Sequence, residues 1–207
     1  KLDTLAGIFA IGQKPTASKD PFALRRAALG VLRICIEGEL PLDVAALLKA
    51  ALDLQPAGKR DAATLKDLTD FVLERLRAYY ADLPAEHFEA VRALGITQPL
   101  DFDRRLRALK AFTGTPAAAS LAAANKRTRN ILKQAAQVSE SVDPAHFEHP
   151  AEQALYAAMQ ALQAQHPGSY AEQLSALAAL KAPVDAFFEG VMVMADQPAV
   201  RANRLAL

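Results

Sequence analysis

The residues with the clearest chemical potential lie in the run Ala124-Asn125-Lys126-Arg127-Thr128-Arg129-Asn130-Ile131-Leu132. At 100° per residue on a helix, Lys126, Arg129, Asn130 and Lys133 fall on one side, with Arg127 at its far edge. Leu121, Ala124, Thr128, Ile131, Leu132 and Ala135 fall on the other and are expected to face the core, with Asn125 at its margin. The cations stand three and four residues apart with no carboxylate between them, so they repel rather than pair. A chain of formal net charge +1 that gathers cations on one helix face has a face suited to an anionic partner. Arginine adds a planar fork for phosphate, and asparagine can meet a base edge. The competing reading is a solvated surface face.

Other chemistry is sparse. His146 and His149 stand three apart in a stretch bracketed by Pro144 and Pro150, without a third ligand, so no metal site is expected. Cys35 falls on an apolar stripe and reads as a small buried hydrophobe. There is no glycine-rich phosphate loop, nucleophile elbow or Cys-x-x-Cys, so no catalytic residues are assigned. Weaker basic positions are Lys14 and Lys19 in a loop, Arg25 and Arg26 on the first strong helix, and Arg201 and Arg204 near the end. Phe112, Phe147 and Tyr156 are candidates for base stacking by neighbourhood alone, and such aromatics more often belong to the core.

These side chains must be positioned by helices. Of 207 residues, 52% are hydrophobic and 23% charged, with a bias to Ala and Leu that favours an all-α fold of about eight to nine helices in two sub-domains. The pattern predicts helices over about 20–37, 43–54, 62–82, 84–95, 100–112, 116–135, 150–165, 169–189 and from 198, with Pro183 kinking or breaking the eighth. Residues 191–194 have strand propensity but nothing to pair with. Residues 95–99 are the better boundary, giving parts 1–95 and 96–207, and 55–60 a weaker linker. No apolar run is long enough to span a bilayer, no secretory leader is expected, and a single cysteine fits a reduced cytoplasmic setting. A start at Lys1 rather than Met leads to the expectation of a piece of something longer.

Several blocks carry a family resemblance: residues 1–16, 20–33, the run 124–132, 187–196 and the closing 201–207. They resemble the β subunit of bacterial glycyl-tRNA synthetase from end to end. The resemblance implies the C-terminal part of a larger, ATP-dependent glycine–tRNA ligase, itself non-catalytic. It implies that ATP and magnesium act at an α subunit in an α2β2 assembly, that this part has no cofactor, and that glycine tRNA is the partner, with no DNA and no membrane. Residues 1–95 then resemble the end of an HD-like domain with connecting helices, Asp3 lying where such domains bear a metal-ligand aspartate. Residues 96–207 resemble the anticodon-binding domain of arginyl-tRNA synthetase. The expected role is to hold the anticodon arm through Lys126, Arg127, Arg129, Asn130 and Lys133. The alternatives are a helical scaffold without anticodon contact and a degenerate HD hydrolase.

Overall fold

A computed structural model describes residues 1–16, 18–56, 60–133, 135, 139, 141–165 and 167–207. Among them lie twelve α-helices and no strand: α1 (Leu2–Ala10), α2 (Leu24–Glu37), α3 (Val44–Asp53), α4 (Ala62–Leu73), α5 (Arg75–Tyr79), α6 (Ala85–Arg92), α7 (Pro99–Thr113), α8 (Pro116–Leu132), α9 (Pro150–Ala164), α10 (Tyr170–Ala178), α11 (Lys181–Gly190) and α12 (Pro198–Ala206). The all-α expectation holds. The chain divides into two compact units, residues 1–107 and 108–207.

Local sequence explains most helix ends. Asp43 and Asp61 accept hydrogen bonds from the third residue beyond them, Ala46 at 2.9 Å and Thr64 at 2.8 Å, as N-caps do. Ser169 and Glu172 form a capping box at α10. Asp20 caps later than its sequence position implies: its carboxylate takes the amides of Leu24 and Arg25, and Ala23 turns left-handed at φ 53° before α2 begins. The expected helix over 62–82 is interrupted at Glu74, giving α4 and α5. The expected helix over 169–189 is also two, but the interruption falls at Ala179 and Leu180. Pro183 sits in the first turn of α11, where an amide has no partner within its own helix to lose. A first helix, α1, had no assignment in the periodic pattern.

In the first unit α1 packs on α2, α3 and α4, and α2 also packs on α4 and α5. Leu5, Leu24, Leu32, Leu48, Leu68 and Val72 are fully buried there, and Phe9 meets Phe71 with ring centroids 5.2 Å apart. The opening half of α7 belongs to this unit. Phe102 lies against Tyr80 and Phe88, and the Tyr80 hydroxyl donates to the buried Asp103 at 2.6 Å. Arg107 donates to the other oxygen of Asp103 at 2.7 Å. Burial, followed by the adjacent carboxylate, pushes the Tyr80 hydroxyl far above the usual phenol range, so it stays a donor.

The division therefore falls at Arg107 inside α7, later than residues 95–99. Those residues are bound into the first unit: Val44 donates to the Thr97 carbonyl, the Thr97 hydroxyl to Asp43, and the Gln98 amide to the Pro41 carbonyl. Of the weaker linker, 57–59 lie outside the described residues.

In the second unit α9 packs on α11, and α8 on α10 and α11. Ala151, Leu155, Phe187, Val191 and Val193 form its core, with Ile131, Val184 and Leu205 packed against them. Val191 leaves α11 with an extended backbone, but residues 193–194 bend and 191–194 form no strand. Val191 and Val193 point inward while Met192 is 76% exposed.

Asp103→Ala should destabilise the first unit by about 1–3 kcal/mol, because it strands a buried hydroxyl and frees Arg107. Urea unfolding of both proteins checks this, and an unchanged midpoint would contradict it.

Candidate nucleic-acid interface

Helix α8 starts at Pro116, whose missing amide is harmless at the first helical position. Its middle is alanine-rich and its second half carries the cations. The wheel reading of its two sides matches the exposure of its residues. Lys126, Arg127, Arg129, Asn130 and Lys133 are exposed, whereas Leu121, Ala124, Thr128, Ile131 and Leu132 are half-buried. No residue of α8 is fully buried. Asn125, expected at the core margin, is exposed.

The cations of α8 divide by what they touch. Arg127 donates to the Phe188 carbonyl at 3.0 Å, and its guanidinium stacks over the Phe188 ring at 4.4 Å. It therefore pins α8 to α11 and is spent within the protein. Lys126, Arg129 and Lys133 have no ion pair with any described residue, and α8 holds no Asp or Glu. Three exposed, uncompensated cations and an asparagine remain on one face.

The weaker basic positions are mostly committed elsewhere. Lys14 pairs with Asp67 and lies 5.9 Å from the centre of the Phe9 ring. Arg25 donates to the Thr16 carbonyl at 2.6 Å. Arg201 donates to the Ala195 carbonyl at 3.2 Å. The side chains of Lys19 and Arg26 are exposed and make no hydrogen bond or ion pair with a described residue, although the Arg26 charge helps to lower the pKa of Asp20. Arg204 is interior rather than exposed. It donates to Glu152 at 2.8 Å, to Glu148 at 2.9 Å and to the Met192 carbonyl at 3.2 Å. A side chain with that many internal acceptors has no fork left for phosphate. The sequence missed this because Arg204 and Glu152 are far apart along the chain.

Glu152 is the acceptor at the centre of the second unit. It is fully buried and also takes the amides of Glu148 and His149 at 2.8 and 2.7 Å. Burial alone would raise its pKa, but the Arg204 hydrogen bond and the two amides outweigh that, and its carboxyl lies below the usual range. Arg204 is raised in turn, by its bond to Glu152 first. Asn203 adds a second tie, accepting from the Asp143 amide at 2.7 Å and donating to the Asp143 carbonyl at 3.0 Å.

Neither histidine forms part of a metal site among the described residues, where no group of three ligating side chains converges. The His149 ring caps α9 by accepting from the Ala151 amide, and it lies against Gly190, where an added Cβ would come within 2.7 Å of it. His146 contacts Asp143 at 3.2 Å. Cys35 is buried, and burial pushes its thiol up, away from a reactive thiolate. Asp3 accepts from the Gln55 amide at 3.0 Å. Of the aromatic candidates, Phe147 and Tyr156 pack edge to face at 5.6 Å, whereas Phe112 opens onto an apolar groove beside α8.

Residues 1–93 match the family model described as "Glycyl-tRNA synthetase beta subunit". The whole chain is 51% identical over 216 residues to the "Glycine--tRNA ligase beta subunit" of Ectopseudomonas mendocina (strain ymp), covering 31% of that protein. It is 48% identical over 215 residues to the protein of the same name from Pseudomonas putida (strain W619), covering 32% of it. It is 49% identical over 215 residues to that from Chromohalobacter salexigens, covering 31% of it. The chain thus spans about a third of the length of the curated relatives it matches.

Replacing Arg204 with Ala leaves Glu152 charged and buried without its main partner, and should cost about 3–5 kcal/mol of stability in the second unit. The wild-type contribution is present above the usual glutamate value and is lost as pH falls through the lower folded value of Glu152. Thermal unfolding should therefore separate the two proteins widely at neutral pH and less widely in acid. A gap that stays constant across that range would contradict the assignment.

Proposed function

Starting from a chain that is homologous over its whole length to one region of the β subunit of glycine–tRNA ligases, we propose that its second unit holds the anticodon arm of glycine tRNA. The observation that carries this reading is the row Lys126, Arg129 and Lys133, exposed and without a carboxylate partner among the described residues. Cations so placed neutralise backbone phosphates and release counterions, which gives affinity that falls with salt. Asn130, on the same face, supplies an amide that can both donate to and accept from an unstacked base.

The division of labour follows from what the residues offer. Cys35 is buried and no group of three metal-ligating side chains converges among the described residues, whereas the exposed cation row offers binding, the contribution proposed for this chain. Glycine activation with ATP and magnesium then belongs to an α subunit in a shared cytoplasmic assembly, with α2β2 the expected arrangement. The first unit serves as the connection to the rest of the β subunit.

Arg127 and Arg204 have structural roles, and removing their charge should lower stability before it lowers affinity. For the exposed row the order is reversed. Lys126→Glu with Arg129→Glu should leave the circular dichroism spectrum unchanged. It should weaken glycine-tRNA binding by about tenfold or more and lower the slope of log affinity against log salt by roughly two. Titration at two salt concentrations checks this; wild-type affinity and slope in the double variant would overturn the proposal.

A further inference from the structure

Beside α8 lies an apolar groove of about 530 Å³, contained within the second unit. Phe112 and Leu121 line one part of it, and Leu174, Leu177 and Leu180 another. Leu177 is 39% exposed, so this surface lies open to solvent. Ala122 and Asn125 form the lip on the α8 side. Lys126 follows Ala122 by four residues and Arg129 follows Asn125 by four, so on a helix each cation stands directly beside a lip residue. The groove therefore opens sideways onto the uncompensated cation row.

We propose that this groove is a base-stacking subsite: it takes an unstacked base of single-stranded RNA while Lys126 and Arg129 hold the flanking phosphates. The inference rests on the phosphate-binding reading of α8 given above. The occupant must combine an apolar face with adjacent negative charge, and a nucleotide does. The base lies against Phe112 and the leucines, which reward any flat ring and so confer little selectivity. Its polar edge meets Asn125, whose side-chain amide is exposed and bonded to no other described residue. The one charged lining residue, Lys181, is paired with Asp185 at 2.5 Å, so the apolar walls carry no net charge of their own. An amphipathic helix without acidic residues would fill the apolar part but leave the cation row unanswered.

The test uses the full chain with two probes, a short single-stranded oligoribonucleotide and an abasic oligomer of the same length and charge. Ala122→Phe narrows the groove at an exposed position, and Leu177→Gln removes apolar wall without adding charge. Each should weaken the oligoribonucleotide by about tenfold, the worth of one stacked base, and leave the abasic oligomer and the salt slope unchanged. Agreement of the two variants guards against misfolding of either. Equal loss for both probes, or no loss for either, overturns the base subsite while leaving the phosphate reading intact. Failure of the wild-type chain to bind the abasic oligomer overturns both. Unchanged RNA binding together with lost binding of a protein partner would assign the groove to a helix and overturn the proposal.

Discussion

The second unit turns on one buried ion pair. Glu152 has no solvent exposure, and it survives as a carboxylate because Arg204 and two backbone amides meet it there. A lone buried charge would cost several kcal/mol, so the pair forces α9, α12 and the Met192 carbonyl into one arrangement. That arrangement sets Val191 and Val193 inward and completes the apolar surface on which Ile131 rests. Helix α8 has no fully buried residue of its own and depends on that surface, together with the Arg127 stack on Phe188, for its position.

Arginine thus does two kinds of work in this unit, and burial decides which. Arg204 and Arg127 are tied to protein acceptors and fix elements in place. Arg129, with Lys126 and Lys133, is left facing solvent on the helix those contacts hold. The separation is useful for binding: a cation row on a helix anchored elsewhere loses little when its own members change. It also means that formal charge is a poor guide to the interface, because the second unit spends part of its positive charge internally.

The sequence was most legible where physics is local. Helical period, capping aspartates and prolines located most helices of both units, and the wheel sorted both faces of α8. It was least legible where partners are remote in sequence. Arg204 reads as a surface cation until Glu152 is found beside it, more than fifty residues away. Residues 95–99 read as a boundary because glycine and proline flank them, yet Thr97 and Gln98 are bonded to the start of α3 and the residues just before it. Pro183 reads as a breaker, but its place in the first turn of α11 makes it compatible with the helix. Of the groove beside α8 the sequence offered Phe112 alone, since four separate helices contribute its walls.

The central claim is that the exposed face of α8 meets the anticodon arm. The most direct measurement is photo-crosslinking of glycine tRNA, labelled in its anticodon loop, to the complete β subunit, with the attached peptides mapped by mass spectrometry. The account predicts attachment within the α8 segment that carries Lys126, Arg129 and Asn130. Attachment confined to other regions of the subunit, with α8 free of crosslinks, would contradict it.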